Sequence, residues 1–173
     1  MKFINLAENR YSVRKFSKKP VEKENLDLVL KAGQHAPTAC NYQPQRILVI
    51  KDEDGLAKMK KCTPFHFDAP IVLLVCYDNT VSRKKNFDDS DMGVIDASIV
   101  TTHMMLQAAD IGLGATWVEN FDPAIVKKEF SLPDHIMPVA LLPMGYPAED
   151  AAPSAMHHNK RPIEETVFYN KIS

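Results

Sequence analysis

Residues 91–111 read DMGVIDASIVTTHMMLQAADI. Val94, Ile95, Ala97, Ile99, Val100, Met104, Met105, Leu106, Ala108 and Ala109 give this stretch the spacing of a helix, but they go around its whole circumference instead of forming one stripe. A helix of that kind is buried at the centre of a fold or between subunits. Its small residues permit close approach of a neighbour. Gly112 is the helix stop, and after Gly114 the segment Ala115–Val118 reads as a strand.

Working outward, Arg46–Ile50 and Ile71–Cys76 read as strands. Both are nearly unbroken apolar runs, the pattern of strands covered on both faces of a sheet. Val139–Leu142 gives a fourth strand. Helices are predicted over Phe3–Glu8, over about Glu22–His35 with Pro37 marking its end, over Glu53–Cys62, and over Asp122–Phe130 with Asp122 as cap and Pro123 in the first position. Thr80–Ser90 is polar and reads as a loop. From Pro147 onward the chain is polar and proline-containing, with an apolar end at Val167–Tyr169. Such a tail has little of its own to pack on, and an arm that wraps a partner subunit would explain it.

At 173 residues, with no internal repeat and no linker, residues 1–173 form most simply one domain, of which about 147–173 is the arm. The composition is ordinary for a globular chain: 45% apolar and 25% charged residues. A formal net charge of -1 gives no general attraction to nucleic acid or to acidic membranes, so any bound anion must be held by a local cluster of cations. Cys40, Cys62 and Cys76 are scattered, odd in number and without a CxxC pair, which argues against a disulfide framework or a zinc site. No signal peptide is legible, and the longest apolar run, Pro70–Tyr77, is too short to cross a bilayer. A reducing cytoplasm is the simplest home.

Three constellations carry chemistry. The first is Arg10-Tyr11-Ser12-Val13-Arg14-Lys15-Phe16. If extended, it alternates sides with period two, setting Arg10, Ser12 and Arg14 on one edge and leaving Tyr11, Val13 and Phe16 as apolar anchors. Guanidiniums and a hydroxyl suit a phosphate and a polar ring. Lys160 and Arg161 form a second cationic cluster at the other end. The two either converge on one anion or are separately solvated surface charge. The second constellation is Ala36–Pro44, in which Thr38, Asn41 and Gln43 stand between two prolines just before a strand. Such groups both donate and accept, as the edge of a heteroaromatic ring requires, but they also suit a capped turn. The third is Gly112–Phe121, where Glu119 and Asn120 follow a strand and precede a helix cap. They either present backbone N–H groups to a ligand or form a plain connecting loop. The glycines do not spell GxGxxG and no strand precedes them, so a Rossmann fingerprint is rejected.

Other residues invite less. His103 lies in the apolar helix and reads as a packed histidine, His157-His158 lacks partners at metal spacing, and Met104-Met105 reads as core filler. Cys40 lacks the His and Asp signature of a thiol nucleophile, and Asp88, Asp89 and Asp91 lack the rest of a calcium loop.

Taken together and in order, these segments resemble the FMN-dependent nitroreductase family over essentially the whole chain. RYSVRKF resembles the family's opening RxSxR motif, and APTACNYQP its second block. The stretch from Asp96-Ala97-Ser98-Ile99 to Gly112–Trp117 is similar to its central helix and following strand, and Pro138–Pro147 and Lys160-Arg161-Pro162 to its closing blocks. The resemblance implies an α+β fold, a central β-sheet flanked by helices, in a homodimer that exchanges terminal arms and holds two flavins at its interface. It implies that Arg10, Lys160 and Arg161 hold the FMN phosphate beside Tyr11, and that Ser12 and Arg14 face the ribityl chain and pyrimidine edge. It further implies that Pro37, Thr38, Ala39 and Asn41 reach the flavin from the partner subunit with Gln43 nearby, and that Glu119 and Asn120 lie by the isoalloxazine. Two departures, Gln45 in place of an aromatic residue and a short segment before the long helix, bear on the choice of substrate.

The implied activity is an NAD(P)H-dependent FMN oxidoreductase. It reduces a small electron-poor acceptor, a nitroaromatic or a quinone, by a ping-pong mechanism. The flavin carries the hydride, so no side-chain acid or base is required. The alternatives are another flavin chemistry of the family, such as reductive dehalogenation, and a flavin-binding module without turnover.

Overall fold

The computed structural model describes residues 2–172. Its regular elements are α1 (Phe3–Asn9), α2 (Lys23–Gln34), β1 (Gln45–Ile50), α3 (Glu53–Cys62), β2 (Ile71–Asp78), α4 (Gly93–Asp110), β3 (Gly114–Ala115), α5 (Pro123–Glu129) and β4 (Ile136–Gly145). The strands form one sheet in the order β1-β2-β4-β3, every pair antiparallel. The fold is α+β, with helices on both faces of the sheet.

All eight residues of β2 are buried. Alternation then sends successive side chains to opposite faces. Ile71, Leu73, Val75 and Tyr77 pack into a cluster with Val29 of α2 and Val100 and Met104 of α4. Val72, Leu74 and Cys76 pack on the other side with Met59 and Cys62 of α3 and Val126 of α5. Burial pushes the Cys62 thiol up to about 11 and the Cys76 thiol up to about 12, as befits inert core groups. Asp122 caps α5 by accepting from the N–H groups of Ala124 and Ile125 at 2.8 and 3.1 Å, with Pro123 in the first turn.

Three expectations need correction. β1 is an edge strand, and Arg46 and Leu48 are exposed on its open face, so of these two strands β2 alone is covered on both sides. β4 runs ten residues instead of four and contains Pro138 and Pro143. Pro138 is accommodated where the register against β2 shifts at Val75/Cys76, the kind of bulge that tolerates a missing donor. The third strand is confined to Gly114–Ala115, with a bridge at Val118 and Leu141. Thr116 donates to the Pro143 carbonyl at 3.2 Å, but Pro143 has no N–H to return, so the ladder lapses there and resumes at Val118. For α4, one chain by itself leaves the setting between subunits as the one that would cover the whole helix. Ala97, Val100, Met104 and Ala108 are fully enclosed, but Val94 and Ile95 are each 49% exposed. The helix stop is as read. Gly112 has φ +81°, Leu113 donates to Ala108 O at 2.8 Å and Gly112 to Ala109 O at 3.2 Å, the paired bonds of a left-handed helix terminus.

Gly93 opens α4 directly against the Tyr77 ring. A Cβ built there falls 2.0 Å from Tyr77 Cδ2. Gly93→Ala forces the ring or the helix to move and is expected to destabilise the protein by about 1–3 kcal/mol, read as a lower denaturant midpoint with unchanged slope.

Tyr146, just past β4, ties the sheet to the start of α2. Its hydroxyl donates to Glu22 Oε2 at 2.5 Å and accepts from Asn25 Nδ2 at 3.0 Å, and Lys19 Nζ sits 3.8 Å over its ring. The Tyr146 hydrogen bond is the main reason the Glu22 carboxyl falls from 4.5 to about 2. A depressed carboxylate contributes stability that is present above its unfolded value and lost as pH falls through the folded one. Tyr146→Phe is therefore expected to be less stable than the parent at neutral pH. The gap should close between pH 4.5 and about 2, measured as urea midpoints across that range.

Candidate active site

The segment 10–16 is extended, and one side chain fixes it. Val13 is 2% exposed and its N–H donates to Ala115 O at 3.1 Å, while Ser12 bridges Ala115 in parallel. The approach depends on Gly114, where an added Cβ would lie 2.5 Å from Val13 Cγ2. Phe16 pairs with Pro147, and Ser17 N–H reaches Tyr146 O at 2.8 Å. With the odd-numbered Val13 inward, Ser12 and Arg14 are left facing out.

Arg10, Tyr11, Ser12 and Arg14 line one wall of a cleft of about 260 Å³, and Ser154, Met156, His157 and Lys160 line the other. The two ends of the chain therefore do converge. No carboxylate lines this cleft, and Arg10, Arg14 and Lys160 make no ion pair among the described residues. Arg10 Nη1 finds only the Met105 thioether, at 3.8 Å, and Arg14 Nη1 the Ser12 carbonyl, at 3.2 Å. Neighbouring Lys15, by contrast, is engaged by Asp150 at 2.5 Å. Cations left without counter-ions on one wall of a cleft attract an anion. Arg161 lies outside it, exposed and paired with Glu165 at 3.3 Å.

Arg14 also borders a second cleft, of about 240 Å³, with Phe65, Phe67, Thr116, Trp117, Glu119 and Asn120. Trp117 Nε1 donates to Glu119 Oε1 at 2.8 Å and holds that carboxylate. Thr63 Oγ1 donates to Asn120 O at 2.6 Å, and Asp122 N–H to Cys62 O at 3.0 Å, so the loop hangs between the end of α3 and the cap of α5. The backbone N–H groups of Glu119 and Asn120 have no acceptor among the described residues. A cationic cleft and an aromatic cleft thus meet at one arginine.

Residues 37–43 line neither cleft within one chain. Their backbone is strained: Cys40, Asn41 and Gln43 have φ of 52°, 56° and 51°. Non-glycine residues in this region cost about 1–3 kcal/mol each and persist only where the surroundings fix them. Gln43 N–H donates to Thr38 Oγ1 at 3.1 Å, Asn41 N–H to Thr38 O at 2.9 Å, and Ala39 N–H to Asp96 Oδ1 at 2.9 Å. Asp96 is 2% exposed in the first turn of α4, and its Oδ2 has no partner among the described residues. Pro37, Thr38, Ala39, Asn41 and Gln43 are therefore a rigid loop held by the central helix.

Sequence reasoning passed over Phe65, Phe67, Trp117, Asp96 and His157. Asp96 had a signal, a lone carboxylate inside an apolar helix. Phe65 and Phe67 lie in a turn where Phe67 and Asp68 have positive φ, which no periodicity announces.

Beside an antiparallel sheet flanked by helices, a cleft lined by cations and no carboxylate thus meets an aromatic one at Arg14. The model of the nitroreductase family matches residues 7–63 and 57–146. The chain belongs to the nitroreductase family. It superposes with a TM-score of 0.94 on a nitroreductase family protein from Clostridium difficile 630, 42% identical, covering 99% of this chain and 100% of that one. A Methanothermobacter thermautotrophicus protein with the provisional name NADH dehydrogenase/NAD(P)H nitroreductase is 30% identical over 157 residues, 87% of this chain and 80% of that one. An FMN-dependent nitroreductase from Clostridium difficile R20291 shares the fold at a TM-score of 0.80 and 24% identity, over 98% of this chain and 99% of that one.

Asp96→Ala removes the acceptor that fixes the strained loop. It is expected to cost about 1–3 kcal/mol and to speed hydrogen exchange at the Ala39 amide more than at amides of β2.

Proposed function

We propose that the chain is an FMN-dependent oxidoreductase that uses NADH or NADPH to reduce small electron-poor acceptors, nitroaromatics or quinones. The observation that carries this reading is the pair of clefts joined at Arg14. The donor set fits the coenzyme. A phosphate monoester carries nearly two negative charges and three acceptor oxygens, and Arg10, Ser12 and Lys160 supply cations and a hydroxyl with no competing carboxylate. Arg14 then stands between phosphate and ring, and Phe65, Phe67 and Trp117 offer apolar surface to a flat heterocycle beside the free N–H groups at Glu119 and Asn120.

When bound, FMN supplies the redox chemistry, accepting electrons from the nicotinamide and passing them to the acceptor. The residues of the chain bind, orient and shield. Arg14 places a permanent positive charge at the junction of the clefts. The Trp117 indole keeps the Glu119 carboxylate turned to itself and off the neighbouring backbone donors. The protons that accompany the hydride to the acceptor would come from water, and one aromatic cleft suits donor and acceptor occupying one place in turn, a ping-pong sequence.

The working form we propose is a homodimer. The half-exposed Val94 and Ile95 on α4, and a tail whose Tyr169 and Ile172 are each 85% exposed, are apolar surface that a second copy would cover. In that assembly the rigid loop 37–43 closes the partner's site, and Arg161 joins the phosphate ligands. A cytoplasmic home is consistent with the free cysteines and with the absence, among the described residues, of a helix long and apolar enough to cross a membrane.

The purified protein is expected to be yellow, to sediment as a dimer, and to oxidise NADH or NADPH only when a quinone or nitroarene is supplied. Arg10→Ala and Lys160→Ala should each weaken FMN binding by about tenfold or more while leaving riboflavin binding unchanged. A colourless protein that does not take up added FMN overturns the proposal.

A further inference from the structure

His157 has no use in a metal site, since no cluster of metal-binding side chains exists among the described residues. Its setting gives it another. Ala155–His158 form a 3₁₀ turn whose His157 N–H donates to Ser154 O at 2.9 Å. From Ala152 to Ile172 every residue is exposed except His157, which is half-buried. This side chain is therefore the point at which the tail seats on the body. It seats on the anion cleft: the ring meets Tyr11 edge-on at 6.3 Å and 70°, and His158 backs it at 4.6 Å. Tyr11 is itself tied to the Ala151 carbonyl at 3.4 Å. Neither imidazole nitrogen of His157 meets a protein partner among the described residues, whereas His103 Nδ1 lies 2.9 Å from Ile99 O.

We infer that His157 is a direct ligand of the phosphate that Arg10, Ser12 and Lys160 hold, and that it binds as the imidazolium. The inference rests on the FMN reading above. The charged and titratable groups facing His157 are Arg10, Tyr11 and Arg14 from the N-terminal segment and His158 and Lys160 from its own. The nearest carboxylate of the neighbouring cleft, Asp150, is taken by Lys15. A dianion entering the cleft is thus the one negative partner available to the ring. An imidazolium has two donors and a full charge for a phosphate oxygen, and a neutral imidazole offers one donor and no charge. Nucleotide binding is therefore coupled to proton uptake at His157, and the tail closes on the phosphate most tightly in mildly acidic solution.

The test uses the full chain freed of flavin and titrated with FMN and with riboflavin at about pH 6 and about pH 8.5, following flavin fluorescence. His157→Gln should bind FMN about tenfold more weakly than the parent at the lower pH and within about twofold of it at the higher. Titration of the phosphate itself is common to both proteins and cancels in that ratio. His157→Lys, a permanent cation on the same turn, should keep its affinity relative to His157→Gln at both pH values and show that the arm still folds. His158→Gln should follow the parent, and riboflavin should not distinguish any of the variants. A His157→Gln deficit that is absent, equal at both pH values, or shared by riboflavin overturns the assignment of His157 alone. A parent that binds FMN at neither pH overturns the nucleotide reading and this inference with it.

Discussion

Val13 lying under Gly114 is the contact on which the site depends. Without a side chain at Gly114 the extended segment 10–16 can lie against β3, and its buried valine sets the alternation that turns Ser12 and Arg14 outward. A larger residue at 114 would lift the segment off the sheet and disperse its cations. The sheet serves as the reference surface. β2 is covered on both faces, β4 pairs with it, and β3 presents the edge to which the segment 10–16 is attached.

A second route leads from the core to the site through α4. Asp96 is a carboxylate in an apolar helix, a costly placement that is retained where a specific hydrogen bond depends on it. Here that bond holds the Ala39 amide and, through it, three residues in left-handed conformations. One helix thus fills the core with Ala97, Val100 and Met104, grips the loop 37–43 with Asp96, and leaves Val94 and Ile95 uncovered. These roles explain why its apolar residues ignore a single stripe.

Much of this was legible in the sequence. Local rules were obeyed where one residue decides the outcome: Asp122 and Pro123 at the head of α5, Gly112 at the end of α4, and Val13 as the anchor of RYSVRKF, although Tyr11, expected as a second anchor, lines the cleft with Arg10, Ser12 and Arg14. The strands were harder, because an apolar run shows burial without showing which neighbour provides it. Ile47 and Val49 look like Leu73 and Val75 in sequence, yet β1 has a neighbour on one side only. Pro138 and Pro143 flank the apolar run Val139–Leu142 that reads as the fourth strand, and the sheet extends past both, absorbing one at a bulge and the other at a gap in the β3 ladder. Convergence of Arg10 with Lys160 was legible only as a possibility of charge, since no periodicity records where a tail returns. Phe65, Phe67 and His157 act through tertiary placement and have no signature in their neighbours.

The cleft is assembled from residues 10–14 and 154–160, far apart along the chain, with no cross-link between them and little apolar surface securing the second. An anion held there would act as a clasp joining head to tail, shortening the excursions open to a chain that is otherwise free at that end. Its effect would resemble that of a reversible cross-link. Heat resistance would then track how full the cleft is, and the tail would be open to proteolytic nicking in molecules that had lost their ligand before the core had begun to unfold.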